Sequence, residues 1–387
     1  MNILFILINL DLGGLEVVTA TLANKFSKEG HNVHVFAFEQ GNGLVKKYFE
    51  HDIDVIIAGQ YKLTNNNIRL LRSVLIKNDI RIIVNQWGHN LIPVRTLNKA
   101  KMGLDTKVIA VYHNDPLKNG YIEYVNIEIS KEKSLFRFFY LQIKRIIYRY
   151  VAGFSMRYNY KHCDIYEVLS SSYVCHFKKF IWLSNTPHLV VLSNPVTISV
   201  DGYVYQSKLK EREIVYVGRL EFTQKRVNRI LEVWEKLQAY FPEWRLTIVG
   251  DGNDRKRLER LAANMNCSRV YFEGFQTPRP YYERASILLL TSEYEGFPLV
   301  LAECMSFGVV PVVYGSFSAV NDIIDDGKNG IIIPHISSGF NSAMMAEKVQ
   351  ELMTDTSRLN QMAIMAIEKS KEFSIEKIYE EWMKIML

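Results

Sequence analysis

The run Glu295-Gly296-Phe297-Pro298-Leu299-Val300-Leu301-Ala302-Glu303 sets two carboxylates eight residues apart, directly after the apolar stretch Ile287–Leu290. Pro298 suits the first turn of a helix, where its missing N–H is not needed. Glu295 then falls in the loop ahead of the helix. Glu303 falls about one and a half turns inside it, near the end that carries the positive dipole. Such an end is an anion site: free amides can receive a diphosphate, and a nearby carboxylate can accept hydrogen bonds from ribose hydroxyls. Spacing alone leaves a second reading open, with Glu295 as a dipole partner and Glu303 on a solvated helix face.

Two further turns carry similar chemistry. Tyr216-Val217-Gly218-Arg219-Leu220 closes a strand-like run, with Lys225 six residues beyond Arg219. A guanidinium fork and a compact ammonium on one loop can neutralise two phosphates, although each alone also reads as an ordinary surface cation. Val249-Gly250-Asp251-Gly252 is a strand-to-helix turn where glycine permits positive φ and close backbone approach. His113 ends another apolar run, Lys107–Tyr112, and alone it also reads as a structural histidine. The D-x-D at Asp52–Asp54 runs into the apolar stretch Ile53–Ile57 and is not a convincing metal signature, so no metal is expected; no carboxylate is placed as a nucleophile.

These turns need strands to hold them. Ile3–Ile8 reads as a strand, Leu15–Lys28 as a helix and Asn32–Phe38 as the next strand, a βαβ unit. Ile53–Ile57, Ile80–Val84, Lys107–Tyr112, Asp164–Leu169 and His188–Leu192 continue the series. Ser193-Asn194-Pro195 is a turn signal, and a polar stretch follows it. The alternation restarts with Glu213–Val217, a helix over Val227–Gln238, Arg245–Val249, Ile287–Leu290 and Val309–Val313. The pattern predicts an α/β chain of two tandem doubly wound parallel sheets, with ligands at the carboxyl ends of the strands. The expected domains are 1–195 and 196–370, followed by a C-terminal helix over 371–387.

Bulk properties agree with two dense cores. A chain of 387 residues exceeds one ordinary core, and 48% hydrophobic against 23% charged residues argues against disorder. Four scattered cysteines suggest neither a disulfide framework nor a zinc site, which fits a reducing cytoplasm. The apolar start lacks a basic n-region and a cleavage site, so it reads as a buried strand. No run approaches a membrane span.

The ordered set GRL…K (218–225), VGDG (249–252), EGF (273–275) and E-x7-E (295–303), preceded by NPV (194–196), resembles glycosyltransferase family 4, retaining enzymes of the GT-B fold. The resemblance covers essentially the whole chain. DLGG-x-E (11–16) is similar to that family's first glycine loop, and Val111-Tyr112-His113-Asn114 to its strand-end histidine. It implies two Rossmann-like domains facing a cleft, 1–195 binding the acceptor and 196–370 the nucleotide-sugar, with the 371–387 helix packing back toward the N-terminal domain. It also implies transfer of a sugar from a nucleoside-diphosphate sugar, UDP by default, to a polysaccharide or glycolipid acceptor. Retention by a same-face displacement also comes from the resemblance. Arg219 and Lys225, beside Gly218, would hold the diphosphate. Glu303 would bind the ribose, and Gly274 and Phe275 would line the base. Glu295 and the backbone of Gly296, Phe297, Pro298, Leu299 and Val300 would hold the transferred sugar. Gly13 and Gly14 would close from the other domain, with His113 near the reacting centre. Arg226 departs from the pattern, standing where that family commonly has glycine, and leaves the backbone conformation after Lys225 open.

Charge is local. The net charge is +6, yet Lys131–Lys161 holds eight Lys/Arg against Glu132 alone, a balance of +7. Phe136, Phe139, Ile143, Ile146, Ile147 and Tyr150 fall at helical spacing within it. Two readings are open: the stripe packs on its own sheet, or it meets an anionic membrane surface at the inner face of the cell membrane. No nucleic-acid motif accompanies the charge. The rival functions are a nucleotide-sugar epimerase or hydrolase of similar fold, and a non-catalytic sugar-binding homologue.

Overall fold

The computed structural model describes residues 1–118, 120–336 and 339–387, without the side chains of Tyr121 and Lys131. The basic stretch therefore begins on a side chain outside the described set. The chain divides into two compact units, Met1–Pro195 with Ile375–Leu387, and Val196–Ser374.

The first unit is built on β1 (Asn2–Leu7), β2 (Asn32–Ala37), β3 (Asp54–Ile57), β4 (Ile82–Asn85), β5 (Lys107–Tyr112), β6 (Ile165–Val168) and β7 (Leu189–Val191). They form one parallel sheet in the order β3-β2-β1-β4-β5-β6-β7. Ile3 to Leu7 are all fully buried, as expected of a parallel strand covered on both faces. The Ile375–Met386 helix belongs to this unit: Trp382 meets Phe26 edge-on at 6.5 Å, and the Tyr379 hydroxyl lies 3.1 Å from His31 Nε2.

The second unit holds β8 (Glu213–Val217), β9 (Arg245–Val249), β10 (Val270–Gly274), β11 (Ile287–Leu290), β12 (Val310–Tyr314) and β13 (Ile331–Ile333). Their order is β10-β9-β8-β11-β12-β13, again parallel. The two edge strands, β10 and β13, were not among the expected ones. In β10 Tyr271 and Glu273 are exposed and Val270 and Phe272 only partly buried, and β13 has three residues.

In both sheets the strand order reverses once, between β1 and β4 and between β8 and β11. Helices that leave to opposite faces there open a crevice at the carboxyl ends of those strands, the position where doubly wound sheets bind ligands.

Candidate functional site

In the second unit the turns after β8 and β9 lie against each other. The Gly218 amide donates to Val249 O at 3.0 Å and the Leu220 amide to Asp251 O at 2.9 Å. Gly250 has φ +140°, and a Cβ placed there would stand 1.9 Å from Gly218 O, so no other residue fits this approach. Arg219 leaves this turn with a side chain 60% exposed, 3.0 Å from Glu221.

The loop after β11 brings the expected residues to the same crevice. Lys225 Nζ lies 2.6 Å from Glu295 Oε1, and the Ser292 hydroxyl donates to the same oxygen at 2.6 Å. Both ionised groups are largely buried, where an ion pair is screened far less than on a surface. The helix that follows spans Leu299–Ser306, so Pro298 stands one residue ahead of the first turn rather than in it, with extended backbone. Phe297 is buried and meets Phe373 edge-on at 5.4 Å, which leaves only its backbone for a ligand.

Glu303 is buried, not solvated, which corrects the helix-face reading. Burial raises its carboxyl above the usual range, and the Thr197 hydroxyl, donating at 2.5 Å, opposes that rise. A carboxylate so placed keeps lone pairs for further donors. Gly274, with φ +73°, ends β10 and accepts from the Gly250 amide at 2.7 Å, while Phe275 beyond it is 61% exposed.

Arg226 takes φ +51°, the left-handed conformation that glycine adopts freely, so the loop keeps its turn without glycine. Three contacts hold it there. Arg226 Nε meets Glu293 at 3.2 Å, Arg229 meets the same carboxylate at 2.8 Å, and the Thr291 hydroxyl donates to Arg226 O at 3.1 Å.

In the first unit Gly13 caps the Gly14–Lys28 helix in extended conformation, and a Cβ there would stand 2.5 Å from Glu16 Oε2. Burial pushes the Glu16 carboxyl up to about 7. His113 follows β5 and joins Leu15, Gln86, Trp87, His89, Lys144 and Tyr148 around a cavity of about 730 Å³. His113 Nε2 lies 2.6 Å from Gln86 Oε1, so Nε2 carries the proton and Nδ1 keeps a lone pair. Burial lowers His113 to about 3, helped by His89, and lowers His89 to about 4, so both imidazoles are neutral at pH 7. Gln86 Nε2, Trp87 Nε1, His89 Nδ1 and His113 Nδ1 are buried without a hydrogen-bond partner among the described residues.

Gln86, Trp87, His89, Lys144 and Tyr148 were not among the expected site residues. Asn85-Gln86-Trp87-Gly88-His89 directly follows β4, and the strand-end rule that singled out His113 would have found it. Lys144 and Tyr148 carried no such signal, since they reach the cavity from the Leu135–Lys161 helix.

Residues 12–172 match the family model for Glycosyltransferase Family 4, and residues 204–369 match that for Glycosyl transferases group 1. The chain is a family 4 glycosyltransferase. This glycosyltransferase is 24% identical, over all of its length and 98% of the relative's, to a Campylobacter jejuni enzyme named as a GalNAc-α-(1→4)-GalNAc-α-(1→3)-diNAcBac-PP-undecaprenol α-1,4-N-acetyl-D-galactosaminyltransferase. Over 36% of the chain and 40% of the relative it is 33% identical to the lipopolysaccharide 1,6-galactosyltransferase of Salmonella typhimurium. Its fold is that of Anabaena HepE, solved in complex with UDP, with a TM-score of 0.76 at 16% identity over 100% and 99% of the two chains. The glycosyltransferase thus has the two Rossmann-like parallel sheets of the GT-B fold.

Proposed function

We propose that this glycosyltransferase moves a hexose from a UDP-sugar, with retention at the anomeric carbon, onto a polysaccharide or glycolipid acceptor of a bacterial surface glycan. The observation that carries the reading is the Lys225–Glu295 pair at the carboxyl ends of β8 and β11, directly ahead of the Leu299–Ser306 helix and its buried Glu303. Arg219, Lys225 and the amides at the helix start balance the charge on the departing diphosphate, so no metal is needed. Glu303 accepts from the ribose hydroxyls, Phe275 stacks on the base, and Glu295 acts at the sugar.

In the reaction an acceptor hydroxyl oxygen bonds to the anomeric carbon on the face from which UDP leaves. The bond from that carbon to the β-phosphate oxygen breaks, and that phosphate takes the hydroxyl proton. The cavity around His113 suits the acceptor side. Gln86 and Trp87 offer donors and His113 Nδ1 an acceptor, the mixed set that sugar hydroxyls satisfy and a phosphate, which only accepts, does not. The Campylobacter relative named for an undecaprenol-linked glycan and the UDP held by HepE support a lipid-linked acceptor and a UDP donor. The enzyme then works in the cytoplasm, at the inner face of the membrane; none of its helices is long and apolar enough to cross it, among the described residues.

Thermal-shift titration with UDP, GDP, ADP and dTDP tests the donor. A ligand at a hundred times its Kd stabilises the native state by about 2.7 kcal/mol, so UDP should give the largest rise. A larger rise with another nucleotide would reassign the base, and no rise with any would overturn the reading.

A further inference from the structure

The Leu135–Lys161 helix leaves a long apolar stripe uncovered. At 3.6 residues per turn Phe136, Phe139, Tyr140, Ile143, Ile147 and Tyr150 share one side of it. They are exposed by 88, 60, 58, 59, 52 and 60%. The stripe therefore does not pack on its own sheet, as one reading of the sequence expected. Scattered exposed apolar residues are ordinary, but a contiguous row over four turns marks a surface that meets something.

Charge selects the partner. Over 120–161, which adds the preceding helix, eight Lys/Arg stand against three acids. Arg137, 63% exposed, flanks the stripe on one side, and Lys144 lies close to it in helical angle. A second copy of the chain would bring like charges together, whereas an anionic bilayer takes apolar stripe and cations at once. Tyr140, Tyr150 and Trp182, which stacks on Tyr150 at 5.3 Å, are the aromatic types that settle at headgroup level.

We propose that this helix lies in the plane of an anionic phospholipid bilayer, its stripe inserted at the boundary of headgroups and acyl chains and its cations among the phosphates. Lys144 and Tyr148 of the same helix line the His113 cavity, so docking sets that cavity at the membrane, where a lipid-anchored acceptor presents its glycan. This consequence rests on the acceptor reading above, while the docking itself does not.

Co-sedimentation with phosphatidylglycerol-containing and pure phosphatidylcholine vesicles tests the docking. Wild-type protein should bind the anionic vesicles and release with salt, since exposed charges are screened beyond about 8 Å at physiological ionic strength. The triple variant Phe136→Asp, Ile143→Asp, Ile147→Asp alters only exposed side chains, so its melting temperature and UDP affinity should match wild type. Its vesicle binding should fall by at least about ten-fold. Equal negligible binding of wild type to both vesicles, or vesicle binding unchanged in the variant, would overturn the docking. A wild-type dimer that the variant converts to monomer would also overturn it, assigning the stripe to a second copy. Loss of UDP binding in wild type would strike the donor reading alone.

Discussion

Lys225 Nζ sits 2.6 Å from Glu295 Oε1, so the cation assigned to the donor diphosphate and the carboxylate assigned to its sugar form one ion pair. An arriving diphosphate must share Lys225 with that carboxylate. Arg219, 60% exposed and paired with Glu221, is the freer of the two cations.

Glu295→Gln removes the competing charge while keeping the shape, and Ser292 can still donate to the amide oxygen. Bare UDP should therefore bind the variant as tightly as wild type, or a few-fold more tightly. Turnover should fall by at least ten-fold, about 1.4 kcal/mol of transition-state stabilisation, because the carboxylate matters most when the transferring sugar becomes cationic. Calorimetry with UDP set beside initial rates checks both. UDP binding weakened in step with turnover would assign Glu295 to the nucleotide.

Arg219→Ala separates binding from folding. The side chain is exposed, and its ion pair with Glu221 is the one it makes among the described residues, so stability should change by no more than about 0.5 kcal/mol. Loss of one charge-assisted phosphate contact costs about 1.5–3 kcal/mol, roughly a ten- to hundred-fold weaker UDP Kd. Unchanged UDP affinity would remove Arg219 from the diphosphate site.

Much of this site was legible because its chemistry sits in short runs at strand ends. The turns at 218–225, 249–252 and 295–303 follow β8, β9 and β11, whose bounds the apolar runs marked to within a residue. What joins residues across the fold was not legible. The Lys225–Glu295 pair spans 70 positions, and no local pattern encodes it. The apolar spacing of the Leu135–Lys161 helix showed a stripe but not whether anything covers it. β10 and β13 escaped for a local reason: edge strands bury one face at most or run very short, so neither gives a sustained apolar run.

Arg226 tests the loop after Lys225. Its left-handed backbone costs a non-glycine residue about 1–2 kcal/mol, offset in part by its contact with Glu293. Arg226→Gly should leave the melting temperature unchanged or raise it slightly. Arg226→Val, β-branched and without the ion pair, should lower it clearly, together with UDP affinity. Equal melting temperatures for the two variants would contradict the strain.

Acid should loosen the first unit through its neutral histidines. His113 and His89 titrate near 3 and 4 in the folded chain against 6.5 unfolded, so the stability they contribute is present above pH 6.5 and is lost as pH falls toward 4. Glu16 works in the opposite sense: its raised carboxyl contributes stability that is full below 4.5 and lost as pH rises through about 7. Melting curves from pH 7 to 5 should therefore flatten in His89→Gln and steepen in Glu16→Gln. The same slope in both variants as in wild type would refute the assignment.

The account stands or falls on the second unit holding a nucleoside diphosphate through Glu303. Calorimetric titration of wild type and Glu303→Gln with UDP measures this directly, because the substitution keeps the shape, and Thr197 can still donate to the new amide oxygen. One UDP per chain is expected for wild type, with binding at least ten-fold weaker in the variant, about 1.4 kcal/mol for lost hydrogen bonds to a charged acceptor. Equal UDP affinity in the two proteins, or no binding to wild type, would contradict the site.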